Sequence, residues 1–314
     1  MQVFPGARRA VIRERVAKLD PAFVLVILAS IGFGLNPLFA RLAYADGISP
    51  SAALFWRMCG LTLLTMPLLV SALRKRVVML RGLCLGAGMA VGTLSYFKAL
   101  AVLPVATAAM VYYTYPLFTV LIGWLGRGRK PCGRTLLSVA AVLAAVGLIV
   151  TPQGLAEEQL VALLACFLAP LAFALLLHGH VAWMSDAAIL ERNATTSVGH
   201  MIVLVPAAFV FGDGNVMAAS QAGWLAVLGL ATVAALLPQV CLAYGTVLAG
   251  AERTAIAGST ELVVAVITGW LILGESVRPM AVFGVLLLTA AVFTVRQPPR
   301  SSQSVAKVAD RAQA

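Results

Sequence analysis

Charge is scarce in this chain. Asp, Glu, Lys and Arg make up 11% of its 314 residues, where a soluble domain carries about 25%. That excludes a pair of soluble domains, which would need far more polar surface. Acids are scarcer than bases, 12 against 23. The net charge of +11 would point to nucleic acid in a soluble protein. Here the bases fall in short segments between apolar runs, so a nucleic-acid partner is not expected. The five cysteines form no Cys-x-x-Cys pair, and all but Cys132 lie well inside apolar runs. A disulfide framework and a zinc site are both unsupported. There are three histidines. His178 and His180 stand two apart, on different helix faces, which makes a poor metal pair. No metal and no cofactor are expected. Glycine-lysine phosphate loops, His-Glu-x-x-His and Gly-x-Ser-x-Gly are missing, so neither ATP-driven work nor a recognisable hydrolytic reaction is written in the chain.

What the chain has in abundance is apolar sequence, 61% of it. Ten runs separate, near 22–43, 49–72, 82–102, 104–126, 133–151, 159–183, 195–212, 223–248, 253–273 and 279–296. Most are long enough to cross a bilayer as a helix. The fold class is therefore all-α integral membrane. Placing the N-terminus in the cytoplasm leaves 19 of the 23 bases on the inner side; only Arg41, Lys98 and Arg278 fall outside, and Arg57 lies within a span. Ten helices with both termini cytoplasmic fit this count. Residues 1–21 form a basic N-terminal segment whose apolar follower is too long for a signal peptide. Residues 297–314 read as a disordered tail.

The chain also repeats itself. A shift of 146 residues lays Thr114 on Thr260, Gly123-Trp124-Leu125 on Gly269-Trp270-Leu271 and Gly128 on Gly274. Each half, 22–152 and 159–296, holds five runs. An odd number makes the second half enter the membrane from the opposite side. Inverted repeats of this kind mark secondary transporters with a site near the membrane midplane.

Glu261 lies about nine residues, roughly 14 Å, inside its apolar run. It is the single deep acid; the others, Glu275 among them, sit in tails, loops or span ends. A carboxylate at that depth is costly, and deep ionisable groups line interiors or wet cavities. Thr260 is beside it. Tyr112 and Tyr115 reach the same depth through the repeat and share a helix face, which Tyr113 does not. Asn36-Pro37 sits mid-span, where Pro37 frees the carbonyl of Phe33 and creates a kink that can line a cavity. Arg57 and Lys98, with Tyr96 close by, are the candidate charge partners, although both can also snorkel to the surface. The histidines, His178 foremost, are the other candidates for proton handling.

These stretches resemble the drug/metabolite transporters, in particular the ten-helix EamA-type branch. The carrying residues are Asn36-Pro37, Trp56-Arg57, Tyr115-Pro116-Leu117-Phe118 with Gly123-Trp124-Leu125, Glu261-Leu262-Val263, and Gly269-Trp270-Leu271-Ile272-Leu273-Gly274-Glu275. The family often has Pro where Leu262 stands, and Arg129 takes the place of Glu275 in the first copy. The resemblance implies two five-helix halves rocking about a cavity built from spans 1, 3, 4, 6, 8 and 9. It also implies a cell inner membrane location and a small metabolite as substrate, amino acids being a frequent class and export the expected direction. Coupling to one proton on Glu261 and facilitated diffusion both fit. A phosphorylated-sugar or nucleotide-sugar exchanger of the same superfamily is the alternative; it needs several bases in the cavity. An integral-membrane enzyme is the rival from another class. The partners are then a small solute and the lipid bilayer, with monomer and homodimer both open.

Overall fold

The computed structural model describes residues 21–69, 75–127, 156–210, 214–249, 260–276 and 279–294, with the single positions 133, 137, 140, 144 and 212. The basic N-terminal segment, most of the fifth expected span and the tail lie outside the described residues. Regular structure among those described is helical, apart from one isolated parallel bridge between Ile48 and Asn215.

The helices are α1 (Pro21–Gly34), α2 (Asn36–Ala45), α3 (Pro50–Thr65), α4 (Arg76–Val102), α5 (Val105–Tyr112), α6 (Tyr115–Arg127) and α7 (Glu157–Cys166). They continue with α8 (Leu168–Ala182), α9 (Ile189–Phe209), α10 (Gln221–Ala231), α11 (Leu237–Ala249), α12 (Thr260–Leu271) and α13 (Pro279–Thr294). Among the described residues six helical segments are long and apolar enough to cross a membrane: 24–45, 50–68, 76–102, 105–126, 157–182 and 221–242. Their large apolar side chains face outward, as at Leu63, Leu125, Val161, Leu164 and Leu225, which suits a lipid solvent. α9 starts at Ile189 rather than near 195, so Glu191 and Arg192 stand in its first turn.

Proline divides four of the spans. Pro37 follows the turn at Leu35 between α1 and α2, and Pro116 follows the turn at 113–114 between α5 and α6. Pro170 follows the break at Phe167 between α7 and α8, and Pro238 follows a π-helical turn, Thr232–Leu236, between α10 and α11. A proline ring displaces the carbonyl four residues earlier and supplies no N–H. Each break therefore leaves bare backbone near mid-depth, which a membrane protein tolerates only where protein or a wet cavity covers it. Buried hydroxyls avoid the same cost by bonding back to their own helix. Ser30 donates to Val26 O at 2.9 Å, Thr119 to Tyr115 O at 2.8 Å and Thr268 to Val264 O at 2.9 Å.

The two halves are interleaved. α4 lies along α9 and α8, α1 along α11, and α3 along α9. Small residues permit this. Gly82 and Gly86 of α4 face Thr195, Thr196 and Gly199 of α9 so closely that a Cβ at Gly86 would run into the α9 backbone. A seam following the boundary between the halves would cut through this packing.

Candidate functional site

The site is built where two of the breaks, at Leu35 and at 113–114, face the start of α12. α5 ends at Tyr112, the chain turns through Tyr113 and Thr114, and α6 resumes at Tyr115. The shared face inferred for Tyr112 and Tyr115 assumed an unbroken helix; the break at Thr114, set by Pro116, removes that assumption. All three rings gather in one cluster. Tyr112 lies 6.1 Å from Tyr113 and 6.2 Å from Tyr115, ring centroid to centroid. Tyr96 of α4 joins at 5.4 Å from Tyr112. Phe173 of α8 closes the wall, 5.0 Å from Tyr115 and 5.9 Å from Tyr112.

Two opposite charges face this aromatic wall. The Glu261 carboxylate interacts electrostatically with Arg57 and with Tyr112, Tyr113 and Tyr115. Arg57 does so with Glu261, Tyr112 and Tyr96. Yet Arg57 and Glu261 form no ion pair. The guanidinium touches Met58 Sδ at 3.4 Å, and its Nε is buried without a partner. The Tyr113 hydroxyl is turned toward Glu261 without completing a hydrogen bond, and Asn36 Oδ1 is likewise buried and unpartnered. Burying a polar group unpaired costs about 1–3 kcal/mol, so this arrangement is incomplete by itself. Arg57, Glu261, Asn36, Thr260, Tyr112 and Tyr115 all keep some accessible surface.

Glycine brings the first span into place. A Cβ on Gly34 would lie 2.6 Å from the carbonyl oxygen of Glu261 and 2.7 Å from Val264 Cβ, so α1 runs directly against the start of α12. Asn36 follows two residues later.

A family model for EamA-like transporters matches residues 20–151 and again 159–297. The chain belongs to the EamA-like transporter family. The two matched blocks are the two halves of the internal repeat, and the family is one of transporters, not of enzymes. Of the solved structures that this EamA-like protein resembles, one crystal structure is 14% identical, covers 87% of this chain and 96% of its own, and superposes with a TM-score of 0.58. That likeness concerns the fold. No curated protein matches the chain.

Other expected residues of the EamA-like chain fall elsewhere. Lys98 is exposed and lines a groove of 740 Å³ between α4 and α7, together with Ser95, Glu157 and Glu158. His178 Nε2 lies 2.8 Å from the carbonyl of Thr119, tying α8 to α6 rather than reaching Glu261. His180 Nε2 lies 3.1 Å from Thr196 Oγ1, and His200 donates from Nδ1 to Thr196 O at 2.9 Å. Among the described residues no group of three His, Cys, Asp or Glu side chains is placed to hold a metal ion.

Glu275 is not the idle span-end acid that its position suggested. Gly274 adopts φ +67°, which only glycine takes without strain, and this turn brings Glu275 back over α5. There its carboxylate accepts the N–H of Val105 at 2.8 and 3.0 Å and meets Arg41 at 3.5 Å. A second tie at this end is Asp46, which accepts from the Ser220 hydroxyl and from the N–H groups of Ser220 and Ala219. The Ser220 hydroxyl, followed by the Ser220 amide, holds the Asp46 carboxyl below the usual carboxylate range. Phe173 and Tyr113 are the site residues that sequence reasoning passed over. A phenylalanine in an apolar helix carries no distinguishing signal, whereas the Pro116 two residues after Thr114 could have flagged the break that redirects Tyr113.

Proposed function

We propose that this protein is a ten-span secondary carrier of the cell inner membrane, with both termini cytoplasmic, that exports small amphoteric metabolites such as amino acids by alternating access. The observation that carries this reading is the Arg57–Glu261 arrangement: opposite charges at one depth, out of contact, with unpartnered polar atoms around them. A ligand with a carboxylate and an ammonium group supplies what both lack. Its carboxylate meets the planar donors of Arg57, and its ammonium meets Glu261. The rings of Tyr96, Tyr112, Tyr115 and Phe173 receive the rest of the molecule. Arg57 is the one base of the cluster among the described residues, and Lys98 lies apart, so a phosphorylated substrate finds less support.

Energy for uphill movement comes from a proton carried by Glu261 in this reading. The test is uptake of labelled amino acids into liposomes, with and without an imposed pH gradient. Glu261→Gln keeps the shape and fixes the neutral state. It is expected to insert normally, to exchange labelled for unlabelled substrate with weakened affinity, and to lose accumulation driven by pH. Undiminished pH-driven accumulation by Glu261→Gln would assign Glu261 a structural role.

A further inference from the structure

Among the described residues two acid–base ties join the halves of the chain, one at each end of α4, and they are built alike. At the start of α4, Lys75 Nζ lies 3.0 Å from Glu191, which also accepts the N–H of Ala188 at 3.1 Å. Past its other end, Glu275 takes the Val105 N–H with both oxygens and pairs with Arg41, which donates to Leu103 O at 2.6 Å.

The ties differ in what they hold. Lys75 and Glu191 join α4 to α9, which already touch along their length through Gly82, Gly86 and Gly199. Nothing opens there without tearing a close-packed interface. Arg41 and Glu275 join the end of α2, the 103–104 junction and the turn after α12, three pieces that otherwise meet sparingly. This junction sits above the site: α5 runs from Val105 to Tyr112, and α12 runs from Thr260 and Glu261 toward Glu275.

We propose that Arg41 and Glu275 form the gate at this end of the carrier, closed in the present structure, and that releasing Val105 from Glu275 lets α5 and α12 part above the Tyr113–Glu261 contact. The gate rests on the carrier reading given above. The chemistry suits a reversible latch. The N–H of Val105 opens a helix and has no partner within it, so a carboxylate is a strong but replaceable acceptor. Arg41 keeps Nε buried and unpartnered, so its closed pairing is incomplete and leaves capacity to re-pair. Glu275 also has a fixed reach, because Gly274 sets the turn. Water can take over both partners once the ends separate, whereas parting Lys75 from Glu191 would leave α4 and α9 still packed along their length.

The test uses a full-length chain in which the five native cysteines are replaced by serine and Ala109→Cys is introduced. Ala109 is 3% exposed and lies between the latch and Tyr113. A membrane-impermeant maleimide is added to one side of oriented vesicles at a time. Glu275→Gln keeps an acceptor for Val105 but drops the charge. Its labelling from the Arg41 side is expected to rise about tenfold, roughly the loss of one charge-assisted hydrogen bond, with Arg41→Gln similar and Arg41→Lys smaller. Labelling from the other side should not rise. Unchanged labelling in Glu275→Gln and Arg41→Gln would overturn the gate. Labelling that rises equally from both sides, with a lowered Tm, would also overturn it, because the tie would then be a general staple. If labelling rises from the Arg41 side alone while no solute of a metabolite panel is exchanged, the latch opens as proposed and the assignment of small amphoteric metabolites as substrate falls.

Discussion

Gly34→Ala adds one methyl group at the tightest point beside the site. The ideal Cβ position is 2.6 Å from the Glu261 carbonyl oxygen and 2.7 Å from Val264 Cβ. Ordinary carbon contacts begin near about 3.5 Å, so α12 has to retreat by about 1 Å or α1 has to rotate. Forcing a methyl into a packed interface costs about 1–3 kcal/mol. Replacing glycine by alanine inside a helix returns at most about 1 kcal/mol, so the net is destabilising. The displacement reaches Glu261 directly, since its own carbonyl is the atom struck. Gly88→Ala is the matched control: it too is a helical glycine, and its Cβ would meet nothing within 4 Å. Purified protein in detergent is heated while its tryptophan fluorescence is followed, and substrate exchange is measured in liposomes. Gly34→Ala should lower Tm and reduce exchange by about an order of magnitude, while Gly88→Ala should match or slightly exceed the parent in stability. If the two variants unfold and transport alike, α1 does not position α12 as the structure has it.

Two further outcomes complete the set. Tyr113→Phe removes the hydroxyl that faces Glu261 and should shift the pH dependence of exchange, whereas Tyr112→Phe, whose ring packs on Phe173, should leave that dependence in place; identical pH profiles for both would undo the distinction. A periplasm-active phosphatase fused after Gly47 should be active and one fused after Lys130 silent, and activity at Lys130 would break the ten-span, inverted arrangement.

The all-helical membrane class, the two-block layout and the family were readable because they depend on features that survive any local detail: apolar length, and Gly-Trp-Leu twice at a fixed interval. Glu261 stood out for the same reason, as one acid deep in an apolar run. The finer geometry was hidden where helical periodicity stops. Tyr113 was set aside on the assumption of a continuous helix, and the turn at 113–114 voids it. Glu275 read as a loop acid because nothing local announces that Val105, 170 residues earlier in the chain, holds its unpaired N–H there. The interleaving of the halves was equally invisible, since a repeat fixes what each half contains and not how the two interlock.

The α4–α9 interface has a consequence for biogenesis. At synthesis rates of about 5–20 residues per second, the glycine face of α4 enters the bilayer roughly 5–20 seconds before α9 has been made. During that interval the Gly82–Gly86 groove and Arg57 have only lipid and early helices for company. The chain has to survive as a half-assembled intermediate, and late arrival of the second half closes the groove. Substitutions in this interface should therefore act first on yield, through quality-control proteolysis of nascent protein, and only second on the activity of molecules that complete assembly.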